Sequence, residues 1–120
     1  MPTVSIREKS YEFSVHIIRF LSGLRYHELK NPLRKQLIRS ATSIGANIIE
    51  AQSSSSKREF LQYMQIALRS SKESEYWLRL LQEADPALTS TIQALASKNQ
   101  SLSNILTAIL IKGKLHNQSL

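Results

Sequence analysis

Apolar residues recur along this chain at the three- and four-residue spacing of amphipathic helices. No stretch shows the sustained two-residue alternation of a half-buried strand, so the pattern predicts an all-α protein. The clearest apolar seam lies in the first half of the chain and consists of Leu33, Leu37, Ala41, Ile44 and Ile48. A stripe of polar side chains follows the edge of this seam and consists of Gln36, Ser40, Ser43, Asn47 and Glu50.

Start and stop signals divide the pattern into four helices, at about 10–27, 32–52, 57–84 and 86–112. The first helix has two candidate starts. Ser5 opens a capping box with Glu8, but the apolar period sets in only after Ser10, so Ser10 is the predicted start.

The other three helices have clearer start signals. Asn31 and Asp85 each precede a proline, and a cap residue followed by proline is typical of a first helical turn. Ser56 forms a capping box with Glu59 ahead of the third helix. Gly113 is predicted to end the fourth helix and to leave a frayed tail after it.

The third helix carries apolar residues on two sides. Its main seam includes Phe60, Met64 and Leu78. The second apolar side consists of Tyr63, Ile66, Trp77, Leu80 and Leu81. Because a helix with two apolar sides usually contacts two neighbours, this second side is predicted to form an oligomer interface, with the bundle core as the alternative location.

Four amphipathic helices joined by short connections favour an up-down-up-down antiparallel four-helix bundle. A chain of 120 residues is long enough for one cooperative core, so residues 1–120 are predicted to form a single domain.

The formal net charge of +7 is concentrated at the two ends of the chain. Residues 1–40 carry eight basic residues against three acidic ones, and residues 86–120 carry three basic residues and no acidic ones. If the first and last helices lie side by side, their charges would merge into one field that attracts a polyanion. The candidate phosphate contacts are Arg19, Arg25, Lys30, Arg34, Lys35, Lys98, Lys112 and Lys114. The alternative, that this charge only keeps the surface solvated, stays open.

Catalytic and metal chemistry find little support in the sequence. There is no cysteine and no Glu-x-x-His pair, and His16, His27 and His116 are too dispersed to share a metal. The isolated glycines form no phosphate-binding loop or oxyanion loop. We therefore expect no enzyme activity, no metal and no cofactor. No apolar run approaches the roughly 20 residues of a membrane span, and we expect a cytoplasmic protein that makes no membrane contact.

The polar stripe has two readings. In the favoured one, part of the stripe belongs to a structural network that sets the register of the second and third helices. The network consists of Ser40, Ser43, Asn47 and Glu50 from the stripe, Arg39 beside it and Glu75 across on the third helix. In the other, the same residues form a ligand or partner site.

Four segments of the chain resemble the four-helix-bundle proteins of the ribosomal-RNA intervening-sequence family: residues 35–51 (KQLIRSATSIGANIIEA), 56–60 (SKREF), 66–68 (IAL) and 73–78 (ESEYWL). The likeness extends over roughly residues 9–112. Its most specific part consists of Arg39, Ser43, Ile44, Asn47, Ile48, Glu50 and Glu75. One departure is that many relatives have Gly after the glutamate, where this chain has Ala51.

The resemblance implies a bundle that assembles into a homo-oligomer, specifically a pentameric ring. Some members of this family are encoded inside intervening sequences of large-subunit ribosomal RNA genes. Distantly similar bundles are accessory proteins of the reverse transcriptases of diversity-generating elements, where they bind nucleic acid and the polymerase.

Two functions follow as hypotheses. The first is a non-enzymatic oligomeric bundle that associates with RNA or DNA through its basic surface. The alternative is an assembly or adaptor module that binds a protein partner and has no nucleic-acid role.

Overall fold

The computed structural model describes residues 5–119, and for residues 116–119 the backbone only. Four α-helices account for most of this range: α1 (Ile6–Ser22), α2 (Asn31–Gln52), α3 (Lys57–Ala84) and α4 (Thr89–Ser119). A 3-10 turn, Pro86–Leu88, lies between α3 and α4. The described residues contain no β-strand, so the protein is all-α as predicted.

Helix α1 differs from its predicted range of 10–27 at both ends. The Ser5 hydroxyl accepts a hydrogen bond from the Glu8 amide at 3.1 Å, so the chain uses the capping box at Ser5, and Ser10 is buried within the helix. The helix ends at Ser22, where the Gly23 amide donates to the carbonyl of Arg19. Residues 24–27 therefore belong to the connection to α2, which we call the α1–α2 loop (residues 23–30).

Helix α2 begins at Asn31, one residue before its predicted start, and Asn31 is not its cap. The preceding residue, Lys30, occupies the N-cap position, and its side chain makes no capping hydrogen bond to the amides of the first turn. The Asn31 side chain instead accepts a hydrogen bond from the amide of His27, at 3.4 Å. Its capping capacity thus serves the loop.

Helix α3 occupies the predicted range of 57–84. The Ser56 hydroxyl accepts from the Glu59 amide at 3.1 Å, as expected of a capping box. At the other end Asp85 stands in an extended conformation ahead of Pro86, and the helix stops there.

The last helix was predicted over 86–112, and both of its limits were wrong. Pro86–Leu88 forms a separate 3-10 turn, and α4 then continues through Gly113 to Ser119. A Cβ atom at Gly113 would lie 2.5 Å from a methyl group of Leu61. The missing side chain at Gly113 therefore makes room for α3 to pack against α4, and the glycine does not act as a stop. Leu120 lies outside the described residues.

Consecutive helices pack side by side, and α1 also packs against α4. Neighbouring helices meet in antiparallel register: Ser40 and Ser43 of α2 contact Ser74 and Ser70 of α3, respectively. Lys30, just before α2, pairs with Asp85, just after α3, at 3.3 Å. These contacts are consistent with an up-down-up-down bundle, whose longest dimension is 52 Å.

All four helices contribute to one continuous apolar core. Its large, fully buried members include Phe13, Ile17, Leu37, Ile44, Ile48, Met64, Leu78, Leu81, Ile92, Leu102 and Leu106. Each such side chain contributes about 1.5–3 kcal/mol relative to its exposed state. The core holds the helix ends, and the loops between them, in fixed positions.

Candidate nucleic-acid interface

Five of the eight predicted phosphate-contacting residues lie at one end of the bundle, around the α1–α2 loop. We call this the basic end, and it consists of Arg19, Arg25, Lys30, Arg34 and Lys35. Arg19 lies in the last turn of α1, whereas Arg34 and Lys35 lie in the first turns of α2. The end of α1 and the start of α2 meet here because the two helices are antiparallel.

Two of these five cations are engaged in holding the fold. The Arg34 guanidinium donates to the carbonyl oxygen of Arg25, and at 3.1 Å to Oδ1 of Asn31. Lys30 pairs with Asp85. Arg19, Arg25 and Lys35 are exposed, and none of their side chains has a carboxylate within ion-pair distance among the residues that the structure describes. These three are the cations available to a phosphate, and Glu28 is an exposed carboxylate on the same loop.

Two large side chains at the basic end, Tyr26 and Leu29, are also exposed to solvent. Tyr26 is 78% exposed and Leu29 is 80% exposed. A cleft of about 340 Å³ opens beside Tyr26, and it is lined by Leu21, Leu24, Tyr26, Asn31, Arg34, Lys35 and Ile38. The sequence analysis missed Tyr26 because it placed residues up to about 27 inside the first helix. The adjacency of Arg25 and Tyr26 just after Gly23 is the signal that was available.

The other three predicted contacts lie elsewhere. Lys112 and Lys114 line clefts between the start of α3 and the late part of α4, beside Lys57 and Arg58. Lys98 lines a cleft of about 200 Å³ between α1 and α4, which it shares with Lys9, Glu12, Phe13, His16, Ser101 and Leu102.

The eight predicted residues therefore do not lie in one continuous basic surface. Helices α1 and α4 do pack together, but α4 runs away from the basic end, and the stretch from Thr89 to Lys112 corresponds to about 35 Å. Fields of exposed charges decay over about 8 Å at physiological ionic strength. The basic end and the Lys112–Lys114 region thus act as two separate patches.

The serines and the asparagine of the predicted polar stripe lie together along the α2–α3 contact. The hydroxyls of Ser40 and Ser74 are 2.8 Å apart, and the Ser70 hydroxyl donates to that of Ser43 at 2.9 Å. The Asn47 amide donates to the Ser43 carbonyl at 2.8 Å and to its hydroxyl at 3.0 Å. Ser40 and Ser74 are fully buried, whereas Ser43 and Asn47 are half-buried.

The charged members of the stripe are arranged differently from the prediction. Arg39 pairs with Glu73, and it also donates to the Gln36 side chain at 3.1 Å. Successive helical residues are about 100° apart, so Glu73 and Glu75 point to different sides of α3, and Glu73 is the one beside α2. Glu75 is half-buried and Glu50 is exposed. Neither forms an ion pair within the described part of the chain.

A second polar contact, which the sequence analysis missed, joins α3 to α4. The Asn99 side-chain amide donates to the Ser71 carbonyl at 2.9 Å, and the Ser71 hydroxyl donates to Asn99 Oδ1 at 2.8 Å. Both residues are buried. Asn99 follows Leu95 by four residues and precedes Leu102 by three, so its position on the apolar seam of α4 was readable from the sequence.

The predicted oligomer interface on α3 is exposed only in part. Ile66 is exposed, and Tyr63, Trp77 and Leu80 are half-buried, with Tyr63 and Trp77 packed against the core. Leu81 is fully buried in the chain's own core, so its assignment to an interface was wrong. We call the remaining four residues the α3 face.

A larger apolar surface, the α1–α2 groove, escaped the sequence analysis. It has a volume of about 950 Å³, and its floor is formed where Gly45 of α2 approaches Ser10 of α1 closely. The exposed side chains of Tyr11 and Ile49 lie along it. Ile18 and Ile38, farther along the two helices, are also exposed.

Among the described side chains, no group of three or more His, Asp or Glu residues is close enough together to hold a metal ion. The side chain of His116 is not among them. None of the described helices is both long and apolar enough to cross a membrane.

Comparison with known proteins places this geometry in a family. The sequence model of the 23S rRNA-intervening sequence proteins matches residues 3–108. Among solved structures, the chain is similar to a protein of unknown function from the S23 ribosomal protein family of Bacteroides thetaiotaomicron. The two are 30% identical, the match covers 88% of this chain and 98% of the other, and the TM-score is 0.79. No curated protein matches the chain.

Proposed function

The chain belongs to the 23S rRNA-intervening sequence protein family, and from that premise we propose that it is a non-enzymatic, self-associating bundle that binds RNA or DNA through its basic end. The observation that carries the proposal is the set of exposed cations around one loop, Arg19, Arg25 and Lys35, which the fold leaves without carboxylate partners among the described residues. Phosphate backbones bind such groups with release of counterions, and this release supplies most of the affinity in non-specific complexes.

The basic end is a better candidate than the Lys112–Lys114 region because it combines cations with an exposed aromatic ring, Tyr26, whereas the exposed apolar residues beside Lys112 and Lys114, Ile111 and Leu115, are aliphatic. Nucleic-acid sites commonly offer both, cations for phosphates and apolar side chains for bases or sugars. At the basic end, Tyr26 and Leu29 are strongly exposed beside Arg25. The Lys112–Lys114 region is a matched comparison, since it is basic and lies elsewhere on the same chain.

The test is fluorescence anisotropy of labelled structured RNA and labelled duplex DNA across a salt series. One variant carries Arg25→Glu and Lys35→Glu, and its matched control carries Lys112→Glu and Lys114→Glu, with the same change of charge. Arg34 is left intact because its guanidinium holds the α1–α2 loop. If two phosphate contacts are lost, the log-log salt slope should fall by about 2 in the first variant and stay unchanged in the control.

Equal weakening by the two variants would place binding elsewhere or make it a consequence of net charge alone. Absence of binding by the wild-type protein at low salt would mean that the charge only solvates the surface. The alternative function, an assembly or adaptor module for a protein partner, would then lead, and the apolar α1–α2 groove is the feature that favours it.

Self-association is supported by two apolar surfaces that lie on different sides of α2. The α1–α2 groove and the α3 face each present exposed isoleucines, Ile49 in the groove and Ile66 on the face. Contact between two different surfaces is head-to-tail, and it closes into a ring when the rotation between subunits allows. The pentamer that the family resemblance predicts would be such a ring.

Multi-angle light scattering of Ile49→Glu and Ile66→Glu tests this arrangement. Both changes are at exposed positions, so the melting temperature should change little. Each variant alone should be a monomer, and an equimolar mixture should form dimers, since each variant keeps the surface that the other has lost. A monomeric wild-type protein, or variants that both keep the wild-type mass, would contradict the proposal.

A further inference from the structure

The α1–α2 loop is held by side-chain hydrogen bonds, yet it turns Tyr26 and Leu29 outward. His27 Nδ1 accepts from the amides of Leu29 and Lys30 at 3.2 and 3.3 Å. Asn31 Oδ1 accepts from the His27 amide at 3.4 Å, and the Arg34 guanidinium binds the Arg25 carbonyl. These bonds join the loop residues to one another and to the first turn of α2. The loop therefore has its conformation before any partner binds.

This loop presents an aromatic ring to solvent instead of folding it onto the core. Tyr26 is 78% exposed, and the ring contact found among the described aromatic residues is between Tyr76 and Trp77. The cleft beside Tyr26 leaves about 340 Å³ free and is bordered by Arg34 and Lys35. A flat apolar ring, a cleft and cations thus occur within one site.

The face of an aromatic side chain stacks on a nucleobase only where that base is not already stacked between its neighbours. In a regular duplex the faces of the bases are covered, and a protein contacts the edges of the bases and the phosphates. In single strands and loops the bases can splay out and stack on tyrosine, and such stacking tolerates any sequence.

We propose that the basic end binds unpaired nucleotides, in single strands or loops, with one base stacked on Tyr26 and the adjoining phosphates on Arg25 and Lys35. This inference rests on the nucleic-acid function proposed above and specifies its substrate class. Loop pre-organisation favours it, because a backbone that already presents Tyr26 to solvent loses little conformational freedom on binding.

The experiment compares a labelled single strand, as RNA and as DNA, with a duplex of the same length, all at one low salt concentration. Four proteins are measured: the wild type, Tyr26→Ala, Tyr26→Phe and Tyr76→Ala. Tyr76 is the matched control, since it is also an exposed tyrosine (56%) but lies on α3.

Removal of a stacking ring should lower single-strand affinity about 5- to 100-fold in Tyr26→Ala. Duplex affinity should change less than about twofold, because the cations remain. Tyr26→Phe keeps the ring and should bind as wild type, and Tyr76→Ala should do the same. The fluorescence of a 2-aminopurine base in the strand should be quenched when the strand binds the wild type and should not be quenched when it binds Tyr26→Ala.

Two results would overturn the inference while the proposed function stands. One is an equal loss for single strand and duplex in Tyr26→Ala, and the other is unchanged single-strand binding in that variant, each with the Arg25→Glu/Lys35→Glu protein still impaired. Absence of binding to every nucleic acid at low salt would overturn the proposed function and this inference together.

Discussion

Helix α3 makes polar contacts on two sides, and the two differ in how far water reaches them. Toward α4, Ser71 and Asn99 exchange hydrogen bonds at a site that is almost fully buried. Toward α2, the contacts grade outward from the buried Ser40–Ser74 pair to the Arg39–Glu73 ion pair, whose side chains are 57% and 36% exposed.

The difference shows why similar polar residues contribute unequally to the free energy of unfolding. A buried group that loses its partner also lacks water, so the whole cost of desolvation appears in the stability. An exposed ion pair exchanges one solvated state for another and contributes about 0–1 kcal/mol. The α3–α4 contact should therefore matter most to stability, although Arg39 and Ser43, which belong to the family resemblance, lie at the α2–α3 contact.

The largest effect is expected for Asn99→Ala. This change removes the two bonds made by the Asn99 side chain and leaves the buried Ser71 hydroxyl only a 3.4 Å contact to the backbone carbonyl of residue 99, so the free energy of unfolding should fall by about 2–3 kcal/mol. Urea denaturation at several protein concentrations measures it and separates folding from assembly. Gln100→Ala is the control, because Gln100 is exposed and bonds only locally, to Asn104 at 2.8 Å. A loss of unfolding free energy below about 0.5 kcal/mol in Asn99→Ala, equal to that expected for a surface control, would contradict the expectation that the α3–α4 contact contributes most to stability.

An intermediate effect is expected for Ser40→Ala. The Ser74 hydroxyl keeps its bond to the Ser70 carbonyl at 2.8 Å, so the unfolding free energy should fall by about 1 kcal/mol. A double-mutant cycle with Ser74→Ala measures the coupling directly, and about 0.5–1 kcal/mol is expected. Additive single changes, with no coupling, would show that the hydroxyl pair adds nothing of its own.

The smallest effect is expected for Glu73→Gln. Because the pair with Arg39 is exposed, the unfolding free energy should fall by less than about 0.5 kcal/mol, and the difference should vanish at about 1 M salt. Glu75→Gln is the control for the choice of partner and should cost less still. A larger loss of unfolding free energy for Glu75→Gln than for Glu73→Gln would show that Glu75, as the sequence predicted, belongs to the network and that Glu73 is not its main acidic member.

The same distinction between interior and surface bears on function. Ser71 and Asn99 satisfy each other in the interior and offer nothing to a partner. The exposed cations and Tyr26 of the basic end have no such interior contacts and are open to recognition. A variant at Asn99 should therefore affect binding only through the amount of folded protein.

Prediction from sequence succeeded where the signal was local. Ser56 with Glu59 at one end and Asp85–Pro86 at the other define α3 to the residue, because caps and proline act within one turn. It failed where a local signal met a competing contact. Periodic apolar residues predicted that the first helix continues past Gly23, whereas hydrogen bonds that the His27 ring accepts and the Arg34 guanidinium donates hold that segment as a loop.

The candidate site was predictable in its residues and not in its arrangement. Arg25, Lys35 and Lys112 are all visible as cations in the sequence, but only helix direction and length separate Lys112 from the other two. The exposure of Tyr26 likewise depends on where α1 stops. Asn99 lies within a run of polar residues, 97–101, and its pairing with Ser71 is a contact between residues 28 positions apart.

The sequence by itself determined the number of helices, the apolar seams and the family, because helix periodicity and capping are local and the family likeness lies in four short segments of the chain. Tertiary structure alone decided which polar residues meet, which cations share a surface and which aromatic ring stays in water. Those outcomes depend on the relative direction of packed helices and on space at positions such as Gly113 and Gly45, where a neighbouring helix occupies the room that a side chain would take. Such competition for space involves residues far apart in the chain, and no local pattern records it.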